Sequence, residues 1–247
     1  MLQKFGVRLR RRLNSHRDLE VRVRALEEAI ACLIANRRYD TGDGMGFNCQ
    51  RVRKQILGEI ARVFPIETVV ETGTWIGDTT GYLASTLRCP VYSCELHRIP
   101  HLIAKMRLGA IENVTLVLGD SRKFLRDLAE LLPSARKCFF YLDAHWHADL
   151  PLLDELRLIA KTWRDSVIMI DDFRVPCDAG YRYDDYGRGK SLSMHDFGAQ
   201  FESLALKPYF PSVSSADETG AGSGCVVLAP RGPIAEALRQ IRLLREL

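Results

Sequence analysis

From residue 67 onward, short apolar runs alternate with longer stretches whose apolar residues recur every three or four positions. The runs at 67–72, 90–95, 114–119, 137–143 and 166–171 have the near-continuous apolar character of strands buried on both faces. The stretches between them, near 78–88, 100–109, 121–132 and 151–163, have helical spacing, and a further helix at 48–63 precedes the first strand. Pro100 and Pro151 fall where a first helical turn tolerates proline. Strands and helices in regular alternation predict a parallel, doubly wound α/β sheet. Beyond 171 the pattern changes to a polar loop at 174–192, a helix near 193–204, and two strands near 206–213 and 224–230. The glycine-rich segment from Asp217 to Gly224 joins this last pair, which reads as an antiparallel hairpin.

The first 47 residues follow a different rule. A helix is expected over 8–36, where Leu19, Val23, Leu26, Ile30 and Leu33 alternate spacings of four and three. About two heptads are short for independent stability, so this seam either makes a homo-oligomer or packs on the rest of the chain. Gly42-Asp-Gly-Met-Gly46 then breaks the pattern as a linker. The expected organisation is a basic helical extension with its glycine-rich linker at 1–47 and one α/β domain at 48–247.

Charge sharpens that division. The chain carries +4 overall, yet residues 1–24 hold eight Lys/Arg against Asp18 and Glu20, so +6 lies in the arm and −2 on the remainder. The body therefore lacks the basic field that nucleic acid demands. The arm reads as a solvated helix face, or as a peripheral contact for an anionic membrane surface or polyanion. An arginine-rich organellar transit peptide is a third reading. No apolar run nears the roughly 18–20 residues of a membrane span, and the N-terminus has no secretory apolar core. Seven scattered cysteines without a C-x-x-C pair fit a reducing, cytoplasmic setting.

The candidate chemistry sits at the strand ends. Strand one and its turn read Val69-Val-Glu-Thr-Gly-Thr-Trp-Ile-Gly-Asp-Thr-Thr80. Gly73 and Gly77 there let a ligand approach the backbone and let the next helix pack closely, although on their own they only mark a tight turn. Glu95 ends strand two, where an acid can accept hydrogen bonds from two ribose hydroxyls, and Gly119-Asp120-Ser121 ends strand three. Taken singly, Glu95 and Asp120 also suit helix starts, as acids that complement the dipole. Three successive strands ending in such residues at one edge mark the ligand position of an open α/β sheet.

Strand four runs into Tyr141-Leu-Asp-Ala-His-Trp-His147, and strand five is Val167-Ile-Met-Ile-Asp-Asp-Phe173. Adjacent strands lie about 4.8 Å apart, so Asp143, Asp171 and Asp172 can converge. Three carboxylates together call for a hard cation, unless they serve as helix caps. Deleting one of them is expected to relieve repulsion in the metal-free protein and to leave the fold intact.

Glu71-Thr-Gly-Thr-x-x-Gly77, Glu95 and Gly119-Asp-Ser121 together resemble the cofactor motifs of class I S-adenosylmethionine (SAM)-dependent methyltransferases. The late hairpin ending Gly224-Cys-Val-Val-Leu228 resembles that fold's terminal strands. The resemblance spans residues 48–230 and implies a Rossmann-like, seven-stranded, mostly parallel sheet. It places Glu71, Gly73 and Thr74 beside the methionine moiety of SAM, with Gly77 completing that turn, Glu95 on the ribose, and Asp120 with Ser121 at the adenine. Leu142-Asp-Ala-His-Trp146 with Ile170-Asp-Asp-Phe173 further resembles the metal-dependent O-methyltransferases of the catechol and macrolide-sugar types. That likeness implies Asp143, Asp171 and Asp172 as ligands of Mg²⁺, with Mn²⁺ as the alternative. The chain departs from the catechol pattern by inserting Ala144 and by placing His147 where that pattern has lysine.

The function these readings favour is metal-assisted methylation of a hydroxyl on a small molecule or glycan. A hard cation lowers the pKa of a bound hydroxyl and fixes its position. His145, two residues beyond Asp143, is preferred over His147 as general base, or else it only hydrogen-bonds a metal ligand. The loop from Gly180 to Lys190, with its tyrosines, Arg182, Arg188 and Lys190, is expected to close over a polar, anionic substrate, or to be an ordinary surface loop. Competing readings are a nucleic-acid methyltransferase, favoured only by the arm, a metal-dependent hydroxylase or hydrolase, and a non-catalytic cofactor-binding scaffold.

Overall fold

Nearly all of the predicted α/β alternation is present in the computed structural model, which describes residues 45–132, 134, 136–144 and 149–247. The helix expected at 8–36, most of the linker, and both candidate bases, His145 and His147, lie outside the described residues. A short 3₁₀ turn, Gly46–Cys49, leads into α1 (Arg51–Val63). There follow β1 (Thr68–Thr72), α2 (Asp78–Leu87), β2 (Val91–Glu95), α3 (Arg98–Leu108), β3 (Val114–Leu118), α4 (Ser121–Leu131), β4 (Cys138–Leu142), α5 (Leu152–Thr162) and β5 (Ser166–Asp171). The polar loop then leads to α6 (Met194–Ser203), β6 (Leu206–Pro211), β7 (Cys225–Pro230), α7 (Pro233–Arg239) and β8 (Leu244–Arg245).

The sheet order is β3-β2-β1-β4-β5-β7-β6-β8. The first five strands are parallel, and β7 runs antiparallel to both β5 and β6. The expected hairpin is therefore present. The sheet has eight strands rather than seven, because β8 pairs with β6 through Phe210–Arg245 and Pro211–Leu244. A two-residue strand carries no alternation to read in sequence, and α7 before it is only seven residues long.

Strands β1, β4 and β5 are buried along their whole length, as their unbroken apolar runs require. Their two-residue period divides the core into two layers. Val70, Phe140, Ile168 and Leu228 face Phe124, Leu156, Trp163 and Phe201 of the α4–α5–α6 side. Val69, Phe139, Val167 and Val227 face Ile56, Ile60, Leu83 and Leu238 of the α1–α2–α7 side. With both faces covered, the C-terminal edge of the parallel strands is the expected place for a ligand, and it lies where β1 and β4 diverge to opposite neighbours.

Candidate active site

At that edge the chain forms a cleft of about 600 Å³. The β1 tip builds its floor. Gly73 has φ +89, and a Cβ placed there would lie 2.3 Å from the Asp143 carbonyl oxygen, so any side chain would push β4 away from β1. Gly77 has φ +86 and abuts Leu108 of α3, which sets the depth at which α3 packs. The Gly73 and Thr74 amides both donate to the Cys94 carbonyl, tying the turn to β2.

Glu95, at the β2 tip, joins two loops. Its Oε2 accepts the Trp75 amide at 2.8 Å and its Oε1 the His97 amide at 2.8 Å. A carboxylate has about four acceptor sites, so two remain for a diol. Trp75 has φ 50, rare for a bulky residue, and is half exposed at the cleft wall. Beneath the floor, Glu71 is fully buried and does not line the cleft. It accepts hydrogen bonds from Thr80 and from Ser93, the latter at 2.5 Å, and Ser93 in turn meets the Thr74 hydroxyl at 2.5 Å. Burial is the main cause that pushes the Glu71 carboxyl up to about 7. Glu71 is therefore linked to the cleft through Ser93 and Thr74 rather than lining it.

Gly119 and Ser121 line the cleft at the β3 edge, but Asp120 does not. Asp120 caps α4, accepting the Arg122 amide at 2.8 Å, and forms an ion pair with the Arg122 guanidinium that holds its carboxyl below the usual range. Glu155 of α5 lies behind Ser121. It is fully buried, and that burial raises its carboxyl to about 7.

At the other end the acids converge as expected. Oxygen atoms of Asp143, Asp171 and Asp172 all lie within 4.8 Å of one another. Asp143 and Asp172 line the cleft. Asp172 has φ 49, a left-handed conformation that aspartate tolerates. That turn lets two consecutive acids serve different places, and Asp171 is directed inward. Its carboxylate is fully buried, paired with the equally buried Arg53 guanidinium and accepting the Tyr141 hydroxyl. Arg53 also donates to the Ser223 and Gly224 carbonyls at 2.7 and 2.9 Å. Burial first, and then Asp171, raise the carboxyls of both Asp143 and Asp172, the latter to about 7. Oxygen-only donors that repel one another are the donor set of a hard cation. Asp143 and Asp172 fit that role directly; Asp171 stands behind them with one guanidinium already in contact.

Several residues of the cleft carried no sequence signal. Asn48 reaches it through three successive left-handed residues, Phe47, Asn48 and Cys49, at φ 53, 54 and 63. Each such residue costs about 1–2 kcal/mol. The turn is held by the buried Phe47 ring against Tyr82 and Tyr141, and by the Ala221 amide on the Asn48 carbonyl at 3.1 Å. Asp184 comes from the polar loop, anchored where its amide donates to the Asp172 carbonyl at 2.9 Å, and Tyr186, one of the loop tyrosines expected to face a substrate, lines the cleft beside it. The basic residues of that loop, Arg182, Arg188 and Lys190, do not line the cleft. The expectation that they would face an anionic substrate is corrected: Arg182 instead donates to the Ala221 carbonyl. A second cavity, about 610 Å³, lies between α1 and the C-terminal segment and includes no strand tip.

No protein-family model and no curated protein matches the chain. Solved structures do. An O-methyltransferase from Bacillus cereus, solved with S-adenosylhomocysteine, aligns over 82% of this chain and 89% of its own at 15% identity and a TM-score of 0.52. An O-methyltransferase of tomaymycin synthesis from Streptomyces achromogenes, solved with SAM, aligns over 73% and 80% at 16% identity and a TM-score of 0.52. A precorrin-6y C5,15-methyltransferase from Geobacter metallireducens aligns over 73% and 87% at 12% identity and a TM-score of 0.51. The chain thus carries the fold of class I SAM-dependent methyltransferases over about three quarters of its length.

Proposed function

We propose that the chain is a SAM-dependent O-methyltransferase that uses Mg²⁺, or Mn²⁺, to present a hydroxyl of a small molecule or glycan. The observation that carries this reading is the division of one cleft into two ends. Glu95, an acid suited to a diol, lies at one end, and the oxygen-only pair Asp143 and Asp172 lies at the other. A hydrolase or a scaffold has no need of both.

The residues divide the work as follows. Gly73 and Thr74 keep the β1 tip flat against a ligand, and Glu71 fixes the Thr74 hydroxyl through Ser93. Glu95 holds the ribose end while clamping the loops after β1 and β2, and Ser121 borders the adenine end. Asp143 and Asp172 would hold the cation, which when bound acidifies an acceptor hydroxyl, while SAM supplies the methyl group. Arg53 holds Asp171 in line behind them. Orientation of the acceptor oxygen toward the donor is then the main catalytic contribution of the protein. His145 remains the proposed base and His147 its rival.

The neighbours from Bacillus cereus and Streptomyces achromogenes, both O-methyltransferases by description, support transfer to oxygen. The test is methyl transfer from SAM to hydroxyl acceptors with and without Mg²⁺, alongside calorimetric SAM binding. SAM binding with cation-dependent transfer is expected, and full transfer in chelator would contradict the role of the cation. The basic arm remains proposed as a site of self-association or of peripheral contact with an anionic membrane. No helix among the described residues is long and apolar enough to cross a membrane.

A further inference from the structure

Among the described residues lining the cleft, the ionisable side chains are acidic apart from the His97 imidazole. Five carboxylates line it, from Asp78, Glu95, Asp143, Asp172 and Asp184, and no Lys or Arg is among the described lining residues. Four of the five acids already have a task. Asp78 is paired with Arg107 at 2.6 Å, and Glu95 clamps two backbone amides at the ribose end. Asp143 and Asp172 are the pair assigned to the divalent cation, whose two positive charges they balance.

Asp184 is left, beside Asp172 on the cleft wall. Its position is fixed at both backbone groups: its amide donates to Asp172 at 2.9 Å, and its carbonyl accepts from Leu192 at 2.9 Å. One side-chain oxygen accepts the Tyr186 hydroxyl, which orients the carboxylate without neutralising it. A carboxylate so held can accept more hydrogen bonds than that one. It favours a cation and repels an anion in a partly desolvated cleft, where the attraction is stronger than in water.

On the reading of the cleft as an O-methyltransferase site, we propose that its acceptor is an amine-bearing hydroxyl compound, such as an amino sugar or amino alcohol. Its ammonium group pairs with Asp184 while a neighbouring hydroxyl reaches the Asp143–Asp172 end. Carboxylate- and phosphate-bearing acceptors are excluded by the same field. Asp184 is thereby a specificity residue, set by the loop and not by the strand tips.

Two measurements on the full-length protein test this. The first reads the field without any acceptor, through quenching of Trp75 fluorescence by caesium and by iodide in a Trp146→Phe background. Trp163, the remaining tryptophan, is fully buried. Relative to free N-acetyltryptophanamide, caesium should quench Trp75 better than iodide, and Asp184→Asn should narrow the difference. Iodide quenching equal to or better than caesium overturns the proposal. The second compares methyl transfer, with SAM and Mg²⁺, across glucosamine, glucose and glucuronate, and across dopamine, 4-methylcatechol and 3,4-dihydroxybenzoate. The amine should lead its set, and Asp184→Asn should cut its advantage over the neutral member about tenfold, the scale of one hydrogen bond to a charged group. A carboxylate matching or exceeding its amine counterpart overturns the proposal. Failure of SAM to bind at all would instead count against the methyltransferase reading and leave the caesium–iodide result as the measure of the field.

Discussion

Asp171 and Asp172 are adjacent in sequence yet sit in different electrostatic surroundings, and the difference reverses one expectation. Three crowded acids suggested that removing any one would relieve repulsion. The structure sets Asp171 against Arg53 inside the core, where both side chains are almost wholly buried. Asp171→Ala should therefore destabilise the fold by about 3–5 kcal/mol, because it leaves a buried guanidinium without its counter-charge. Urea unfolding measures this, and replacing the pair together, with Arg53→Met and Asp171→Leu, should recover most of the loss. Relief of repulsion belongs to Asp172, whose carboxyl is raised to about 7 by burial and then by Asp171. Asp172→Asn should leave stability equal or higher in the absence of metal and weaken Mn²⁺ binding, read by calorimetry. Stability falling as far as in Asp171→Ala would show that the two acids are not distinguished as described.

The elements themselves were legible because their patterns are long and unmixed. The β4 run Cys-Phe-Phe-Tyr-Leu and the β5 run Ser-Val-Ile-Met-Ile-Asp can only be buried on both faces, and both are. Their acidic ends then placed Asp143 and Asp172 in the cleft, and the end of β2 placed Glu95 there. Glu71 and Asp120 have the right positions along their strands, but pleat and cap geometry turn them beneath or beside the cleft. Asn48 and Asp184 were invisible, since each depends on tertiary contacts of an irregular segment and not on period or motif. The same contacts explain how α1 starts without a capping side chain of its own. Glu218, from the segment between β6 and β7, accepts the Val52 and Arg53 amides at 2.9 and 3.3 Å. Glu218→Ala should cost about 1 kcal/mol, the usual value of a lost helix cap, and loosen Asn48 at the cleft. Thermal unfolding and hydrogen exchange at residues 48–53 would measure both effects, and unchanged exchange there would contradict the assigned link.

At the scale of the whole molecule, buried carboxyls with raised pKa set the pH dependence of stability. Glu71 and Glu155 are both raised from the ordinary 4.5 to about 7, chiefly by burial. Between those values the native state holds protons that the unfolded chain has released. Stability should therefore fall as pH rises through that window and level off above it, by up to about 3 kcal/mol for each group. Glu155→Gln should flatten part of the decline and leave the protein more stable than wild type at pH 8, a comparison made by urea unfolding at pH 5 and pH 8. The sheet, covered on both faces, that buries these acids also carries the cleft at its C-terminal edge, and the central claim is that SAM binds there with its ribose on Glu95. Calorimetric titration of SAM into the wild-type protein and into Glu95→Ala tests it most directly. The account predicts one-site binding that chelator does not abolish and that Glu95→Ala weakens by about 1.5–3 kcal/mol, the range for hydrogen bonds to a charged group. No binding to the folded wild type, or equal affinity in a folded Glu95→Ala variant, would contradict it.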